Sequence, residues 1–500
     1  MFDWSALEPS VVFKYFGELV AISRPSKAEE KAMVWLKEWA AEKGYDTAED
    51  ATGNLVVRVP GKGSAANSTP VIIQGHVDIV TAESEDAPPE ADSAAGKIPV
   101  ELGEPGDDGF FVAAADGGWV GAPYTTLGAD NGIGCAMGMA IADDPNATHP
   151  PLELLFTMDE EQGMTGALEL DPDALGLTGR HLINLDTEDD DELTIGCAGG
   201  MDTSVTLPGV WDSVDGSDLV CLQVLLKDLR GGHSGVEIHS CRANAIRCLA
   251  RALCDVSGGP VRVADLQGGE KRNAIPRRAA AVIVIPSSLQ AELEQVLQAA
   301  GDEMTQLYQG RDFPVRFQVS AVDSVARALD ADSSSRLLNL IVALPDGVFT
   351  MTSEIPDLVE TSNNVAVVGV TGDNVIVHCN SRSSVDAGME DVADAIAACA
   401  RLAGASTSSS GRYPGWKPNL DSELLKVTQP AYQQLFNEEP KVTAIHAGLE
   451  CGVLGDKMSG LDSISFGPNI RGNHAPGEHV EVASVAKSYR LLQEVLANLG

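Results

Sequence analysis

Histidine and carboxylate side chains that could bind a metal ion lie in short loops far apart in the sequence. They are His76 and Asp78 in QGHVDIV, Asp130 in LGADNGIG, Glu160 and Glu161 in FTMDEEQG, Asp186 in INLDTEDD, His446 in IHAGLECG and His474 in GPNIRGNHAPGE. A buried cluster with so many carboxylates would repel itself and take up protons unless a cation lay among them. If these loops meet in the fold, the sequence predicts a divalent metal site.

The ligand types narrow the choice of metal and of chemistry. Imidazole mixed with carboxylate, without thiolate, suits zinc, manganese or cobalt better than calcium. Two histidines with three or four carboxylates are too many for one tetrahedral ion, but they suit two ions that share a bridging carboxylate, as in hydrolytic two-metal sites. Side chains two apart on a strand point the same way, so Asp78 can hydrogen bond to His76 from behind.

The adjacent side chains of Glu160 and Glu161 diverge, so one can bind metal while the other faces a water molecule and acts as its base. The spacing leaves open which glutamate does which. Each motif alone is also typical of ordinary structure: His-X-Asp is common, DEE is usually a solvated charge run, and ADNG is usually a turn. Their occurrence at the ends of successive predicted strands favours the metal site.

The elements that must position these residues alternate between strand and helix over the first 200 residues. Apolar runs that end abruptly in polar residues, such as TPVIIQGHVDIV, are typical of buried parallel strands, and open α/β sheets bind ligands at that edge. Ser26 and Glu29 have the spacing of a capping box before a predicted helix that Gly44 ends. Residues 81–110 are acidic and aperiodic, which predicts an exposed excursion.

From about residue 200 the pattern changes to an α+β mixture, with a hairpin predicted to turn at Gly372 and Asp373. The segment SSSGRYPGWKP, residues 408–418, is typical of a linker. We therefore predict an α/β domain with a mixed, mostly parallel sheet flanked by helices, formed by residues 1–199 and 410–500. An α+β domain, residues 200–409, is inserted in it.

Composition limits the classes of function. The 500 residues are 44% apolar and 21% charged, which is enough for two folded domains. The 34 basic against 73 acidic residues give a net charge of −39, which disfavours binding to nucleic acid or to an anionic membrane. No signal peptide or bilayer-length apolar run is evident, and the nine cysteines lack CxxC pairs, so we expect a cytoplasmic protein.

Taken in order, these motifs resemble those of the M20 family of metallopeptidases, most closely its aminoacyl-histidine dipeptidase branch. The shared segments are GHVD, TTLGADNGIG, TMDEEQGMTGA, INLDTED, GCAGGMD, GGHSGVEIH, RNAIPR, ETSNNV, YPGW and IHAGLECG. The resemblance spans nearly the whole chain. It implies a zinc-dependent dipeptidase that hydrolyses Xaa-His and other unblocked dipeptides with a water molecule activated by two zinc ions.

The resemblance also implies a role for each ligand. His76, Asp130 and Asp186 would bind one zinc ion of each subunit, and Asp130, Glu161 and His474 would bind the other, so Asp130 would bridge. Cobalt or manganese could substitute for zinc. In this family the peptide bond after the bridging aspartate is typically cis, so we expect a cis bond after Asp130.

Two further roles near the metal follow from the resemblance. Glu160 would be the general acid and base, and Asp78 would orient His76. A rival within the family, an amidohydrolase of N-acyl amino acids, shares these residues and differs in its pocket. A rival from another class is a metal-stabilised binding protein without turnover, which the intact Glu160 disfavours.

The inserted domain resembles the family's lid, which usually also mediates a homodimer. His233 in GGHSG would polarise the scissile carbonyl, and in related dipeptidases this residue reaches across from the partner subunit. Asn273, Arg382 and Gly448 match positions that hold the C-terminal carboxylate of the substrate. Arginine suits that task because its guanidinium binds a carboxylate with two parallel hydrogen bonds. Glu450 could reach the amino group of the substrate, and no role is assigned to His446.

Overall fold

A computed structural model describes residues 2–254, 256 and 261–500. The chain forms two compact units. Unit 1 comprises Met1–Gly196, Pro418–Ala444 and Leu449–Gly500, and unit 2 comprises Cys197–Lys417 and Ile445–Gly448. The boundaries drawn from the sequence, 199/200 and 409/410, stay a prediction for the folding domains.

Within the described ranges the chain forms twelve α-helices and 26 β-strands. Helices α1 to α12 are Ser10–Val20, Glu30–Lys43, Ala129–Asp143, Thr165–Leu168, Pro172–Leu175, Ala245–Cys254, Gln290–Leu307, Ala331–Ala343, Asp386–Leu402, Glu423–Phe436, Glu450–Lys457 and Val482–Asn498. Strands β1 to β13 are Asp46–Glu49, Leu55–Val59, Val71–His76, Glu101–Pro105, Phe111–Ala113, Trp119–Gly121, Leu152–Thr157, His181–Asn184, Glu192–Cys197, Gly199–Pro208, Trp211–Ser213, Leu219–Leu226 and Gly232–His233. Strands β14 to β26 are Arg262–Gly268, Ala274–Ile275, Ala279–Pro286, Phe317–Ala321, Arg327–Leu329, Gly347–Met351, Val359–Thr371, Asn374–Ser383, Ser406–Tyr413, Lys441–Ile445, Asp462–Ser465, Ile470–Arg471 and His479–Glu481.

The main sheet of unit 1 has eight strands in the order β1-β2-β7-β3-β8-β24-β9-β23. The central strands β7, β3, β8 and β24 are parallel, whereas β1 pairs antiparallel with β2, β2 with β7, and β9 with β24. The parallel strands β3, β7 and β8 are buried over almost their whole length, as their apolar runs predict. Their carboxyl ends therefore bring the loops after His76, Thr157 and Asn184 to one edge of the sheet.

Helix α2 forms where the amphipathic pattern predicts it and ends at Gly44, which adopts a left-handed conformation with φ of 73°. The predicted capping box is wrong. Ser26 donates its hydroxyl hydrogen bond to Asp78 over 2.7 Å, and Glu29 accepts from the backbone N–H groups of Lys27 and Asp159. Both side chains are buried, so they satisfy polar groups of the core instead of the first turn of the helix.

The acidic segment 81–110 contains a strand that its composition did not predict. Strand β4 lies in a five-stranded sheet of order β25-β26-β6-β4-β5. Strands β25 and β26 of that sheet flank the loop that carries His474. Residues 101–105 are therefore part of a structured sheet, whereas most of the remaining segment is exposed or half-buried outside regular strands, as predicted.

Unit 2 contains a nine-stranded sheet in which the described pairings are all antiparallel. Helices α6 to α9 contribute to the hydrophobic core with this sheet. The predicted hairpin is confirmed, because Thr371 pairs with Asn374 across the two-residue turn. The predicted linker is wrong for residues 408–413, which belong to the exposed edge strand β22 paired with β10. Residues 414–418 lie outside any strand and include the boundary between the two units.

The fold class predicted from the sequence is confirmed: an α/β unit with a mixed sheet, and a second unit of α+β type. In the part of the chain that the structure describes, no helix is both long and apolar enough to cross a bilayer.

The turn at Gly372 tests the hairpin. Gly372 has φ of 63°. For both Gly372 and Gly369 in strand β20, no atom of the described residues, apart from the glycine and its chain neighbours, lies within 4 Å of the position that a methyl group would occupy. The two sites therefore differ mainly in backbone conformation. We expect Gly372→Ala to lower the free energy of unfolding by about 1–2 kcal/mol, because an L residue is strained in the left-handed region. Urea denaturation of both variants measures this. An equal loss in Gly369→Ala would contradict it.

Candidate metal centre and substrate-binding residues

The predicted metal ligands lie on five different segments of unit 1. His76 ends strand β3, and Asp186 follows strand β8 by two residues. Glu161 lies in the loop after β7, Asp130 lies in the first turn of α3, and His474 lies between β25 and β26. Four of these side chains are almost fully buried, whereas the side chain of His474 is 47% exposed.

Asp130 lies between the two histidines. Its Oδ1 is 3.0 Å from Nε2 of His76, and its Oδ2 is 3.0 Å from Nε2 of His474. Asp186 Oδ1 lies 3.5 Å from Nε2 of His76, and Glu161 Oε2 lies 2.8 Å from Nε2 of His474. The potential ligand atoms of His76, Asp130 and Asp186 all lie within 4.8 Å of one another, and so do those of the second triplet, Asp130, Glu161 and His474. Asp130 therefore belongs to both triplets of potential ligands.

The cluster concentrates negative charge in a buried place. Burial, together with the nearby carboxylate of Asp186, raises the pKa of Glu160 well above its usual value. Burial by itself lowers the pKa of His76, but the carboxylates of Asp186 and Asp130 raise it well above normal. Burial likewise opposes protonation of His474, yet hydrogen bonds to Asp130 and Glu161 raise its pKa to about 11. The negative charge of the carboxylates thus favours the protonated, positively charged form of both imidazoles.

The donor set fits two divalent ions. Glu161 Oε1 is buried and has no hydrogen-bond partner among the described residues, and an unpaired buried carboxylate oxygen is costly. Two imidazole nitrogens and several carboxylate oxygens, arranged around one carboxylate with both oxygens engaged, match the ligand preferences of zinc, cobalt and manganese.

The peptide bond between Asp130 and Asn131 is cis, which confirms the expectation from the family resemblance. The Asn131 amide donates to the carbonyl oxygen of Leu185 over 2.7 Å and to the carboxylate of Asp186. A methyl group at Gly75 would lie 2.4 Å from Asn131 Oδ1, so glycine is needed beside His76. Asn131 therefore ties the start of α3 to the Asp186 loop, a contact that the sequence did not indicate.

Asp78 supports both His76 and the glutamate loop. Its Oδ1 lies 3.3 Å from Nδ1 of His76, and its carboxylate accepts the backbone N–H groups of Glu160 and Glu161 over 3.0 and 3.2 Å. Burial by itself raises the pKa of Asp78, but hydrogen bonds from His76 and Ser26 bring it down to about 2. Glu160 offers a carboxylate oxygen within 4.8 Å of ligand atoms of His76 and Glu161.

In unit 2, His233 lies on the short strand β13, and its ring is oriented by its own loop. Its Nδ1 accepts the N–H groups of Gly235 and Val236 over 3.2 and 3.1 Å. Burial and the Arg382 guanidinium lower its pKa to about 4. The imidazole is therefore neutral near pH 7 and carries its proton on Nε2, which makes that nitrogen a hydrogen-bond donor.

Arg382 has the surroundings expected of an anion-binding arginine. It is 6% exposed, and its guanidinium donates to the Tyr413 hydroxyl over 3.2 Å. Its Nε is buried without a hydrogen-bond partner, and no carboxylate in the described ranges forms an ion pair with it. A buried guanidinium without a counter-charge favours an incoming carboxylate.

The other predicted substrate-binding residues lie in the same unit. A methyl group at Gly235 would lie 2.3 Å from the carbonyl oxygen of His446 and 3.1 Å from Nε of Arg382, so the GGHSG loop packs against both. Gly448 follows His446 by two residues in that segment. Asn273 is exposed and, with His233, lines a cavity of about 570 Å³.

Glu450 is fully buried, and its contact with a substrate's amino group stays a prediction. It accepts hydrogen bonds from Thr157, over 2.8 Å, and from Gln74. His446 donates or accepts one hydrogen bond with the Ser362 hydroxyl, 2.7 Å away, and the structure indicates no further task for it.

Sequence reasoning missed Glu478. Its carboxylate lies against the backbone that leads to Asp130, although the two residues are 348 positions apart. The one available signal is its place four residues after His474 in NHAPGE, and that spacing does not reveal which loop the side chain contacts.

Known proteins with similar sequences identify the family of this chain. Residues 225–312 match the M20 family described as the peptidase dimerisation domain. The chain is also 36% identical to the cytosol non-specific dipeptidase of Escherichia coli strain K12 over 500 residues, 100% of this chain and 99% of that protein. The chain belongs to the M20 family of metallopeptidases.

Solved structures agree with the family assignment. The crystal structure of the aminoacylhistidine dipeptidase from Vibrio alginolyticus is 34% identical to this M20 chain, with a TM-score of 0.87 over 99% of this chain and 98% of that one. An aminopeptidase from Bacillus cereus, 14% identical with a TM-score of 0.54 over 99% of each chain, shares the fold. The family predicted from the motifs is thus confirmed, and with it a metal-dependent enzyme.

The bridging position of Asp130 predicts the metal content of a variant. We expect Asp130→Ala to lose both ions, because each donor triplet loses its shared carboxylate. Elemental analysis of the purified protein after equilibration with zinc measures the content. Asp189→Ala, which removes a surface carboxylate paired with Arg471, is the control and should keep both ions. Two ions per chain in Asp130→Ala would exclude the bridging role.

Proposed function

We propose that this M20 enzyme hydrolyses unblocked dipeptides, Xaa-His dipeptides among them, at a pair of zinc ions that cobalt or manganese can replace. The observation that carries the proposal is the position of Asp130, whose two oxygens face two separate pairs of histidine and carboxylate. The names of the two relatives that match the full chain, both dipeptidases, support the substrate class.

The residues of unit 1 would bind the ions and move the proton. His76, Asp130 and Asp186 would hold one ion, and Asp130, Glu161 and His474 would hold the other. Ions so bound act as Lewis acids on a carbonyl group and lower the pKa of a water molecule.

Glu160 takes the proton from the attacking water and returns it to the leaving nitrogen. Its backbone N–H is held by Asp78, which also keeps Nδ1 of His76 occupied and leaves Nε2 directed at Asp130. Asp78, with its carbonyl oxygen 3.1 Å and its carboxylate 3.3 Å from Nδ1 of His76, therefore orients a metal ligand and the catalytic base together.

The residues of unit 2 would recognise the substrate. Arg382 would bind the free C-terminal carboxylate, with Asn273 and the backbone at Gly448 as further partners. His233 would donate from Nε2 to the oxygen of the scissile carbonyl, a role that suits its neutral state. A carboxylate site at a fixed place in the lid would restrict cleavage to very short peptides.

The cellular location and the oligomeric state are part of the proposal. We place the enzyme in the cytoplasm, in keeping with its scattered cysteines and the name of its cytosolic relative. The match of residues 225–312 to a dimerisation domain supports a homodimer formed through the lid, residues 200–409.

Glu160 can be tested without disturbing the metal ligands. We expect Glu160→Gln to keep both ions and to lower kcat by at least about 100-fold, because an amide cannot accept the proton of the water. Elemental analysis measures the metal content, and steady-state kinetics measure kcat. The matched control is Glu169→Gln, a glutamate outside the cluster, which should keep its activity. If Glu160→Gln retained most of its turnover, Glu160 would not be the base.

A substrate panel separates the proposed activity from its rivals. After metal removal and reloading with zinc, cobalt or manganese, we expect hydrolysis of Xaa-His and other free dipeptides and none of N-acetylated dipeptides, measured by amine release. Preferred hydrolysis of N-acyl amino acids would instead identify an amidohydrolase. Single-turnover measurements on the zinc-loaded protein test the third alternative. If they showed no product with any of these compounds, the protein would be a metal-stabilised binding protein without turnover.

A further inference from the structure

Four consecutive backbone N–H groups converge on the carboxylate of Glu478. Its Oε2 accepts from Leu127 and Gly128 over 2.7 and 2.9 Å, and its Oε1 accepts from Ala129 and Asp130 over 2.7 and 3.2 Å. The residue is 2% exposed, so water does not compete for these bonds. Both oxygens of this buried carboxylate thus accept hydrogen bonds from the backbone of residues 127–130.

The local backbone makes this contact possible. Gly128 has φ of 73°, which turns successive N–H groups toward one point and forms a small anion-binding concavity. On its other side the same turn is held by Arg24, which is buried and donates to the carbonyl oxygens of Gly128 and Val77, each over 2.7 Å. A guanidinium on the carbonyl side and a carboxylate on the N–H side hold the turn from opposite directions.

Glu478 also belongs to the loop that carries the last predicted ligand. It follows His474 by four residues and directly precedes strand β26. Its own carbonyl oxygen accepts from the N–H of Ala122 over 3.0 Å, and the N–H of Gly477 donates to the carbonyl oxygens of Ala122 and Thr125 over 2.9 and 3.1 Å. The His474 loop is therefore fastened to the segment just before Asp130 by backbone as well as by the Glu478 side chain.

We infer that Glu478 is a positioning residue for the ion shared by Asp130, Glu161 and His474: it sets the distance between the Asp130 turn and the His474 loop before metal binds. The inference rests on the metal site of the proposed function. Glu478 touches neither substrate nor metal in this role, and it acts through the backbone of Asp130.

A purely structural role makes a different prediction. If Glu478 merely stabilised the fold, its loss would lower the melting temperature without changing the metal affinity of the folded protein. If it positions the ligands, its loss weakens metal binding in the folded protein, and activity returns when excess zinc is supplied.

The test uses Glu478→Gln, in which an amide NH₂ replaces one oxygen and faces two N–H donors. We expect the affinity for the more weakly held zinc ion to fall about 10- to 100-fold, the usual loss for residues that support metal ligands. Competition between the metal-free protein and a chromophoric chelator measures the affinity. With saturating zinc, kcat should return to near the wild-type value.

Two further variants complete the design. Glu481→Gln removes the same charge three residues away, where the carboxylate accepts the Asn469 amide over 2.6 Å, and should leave zinc affinity unchanged. Glu478→Asp keeps the charge, but its side chain is too short to reach all four N–H groups, so it should also weaken zinc binding. This variant replaces Glu478→Gln in the test if Glu478→Gln does not fold. Wild-type zinc affinity in either folded Glu478 variant overturns the inference. A wild-type protein that binds two ions but cleaves no dipeptide overturns the proposed substrate and leaves the role of Glu478 standing.

Discussion

The arrangement of unit 1 depends on the carboxylate of Asp130. One side chain must present an oxygen to His76 and another to His474, two histidines almost 400 residues apart, both at 3.0 Å. That requirement places the start of helix α3 between two loops and leaves little freedom for its backbone. The contacts of Asn131 with the Asp186 loop and of Glu478 with the preceding turn both serve this one position. Crowding these carboxylates is energetically costly unless divalent cations neutralise them.

Beneath the candidate ligands lies a second layer of buried polar residues. Gln74 and Asn184 stand two positions before His76 and Asp186, so they occupy the same faces of neighbouring parallel strands. The Asn184 amide donates to the Gln74 carbonyl over 2.7 Å, and the Ser465 hydroxyl donates to Asn184. The row continues to Glu450 at one end and to Thr187 at the other. A hydrogen-bonded row across the strands holds their ends in register, which gives the ligands above it a rigid base.

Unit 2 has the opposite electrostatic character at its candidate substrate residues. Among the described residues, the buried guanidinium of Arg382 has no carboxylate partner. Burial, together with this guanidinium, lowers the pKa values of His233 and His446 to about 4 and about 3, so both are neutral near pH 7. On a chain with a net charge of −39, such a place stands out as one that favours an anion. The two units thus differ in charge: carboxylates cluster in unit 1, whereas a guanidinium and neutral imidazoles lie among the candidate substrate residues of unit 2.

The sequence by itself predicted the types of the candidate ligands and the buried strands that lead to His76, Glu161 and Asp186. It also determined the helix that stops at Gly44 and the hairpin at Gly372, because each depends on a pattern of neighbouring residues. Local patterns misjudged Ser26 and Glu29, whose hydroxyl and carboxylate turn into the core, and also the serine-rich segment 406–413, which is a strand because β10 offers it a backbone partner. Tertiary structure alone decided which oxygen of Asp130 faces which histidine, and that Glu478 holds the turn before it. The contacts of Asp130 with His474 and of Glu478 with the turn join residues about 350 positions apart, and no local pattern encodes the loop that a distant side chain will meet.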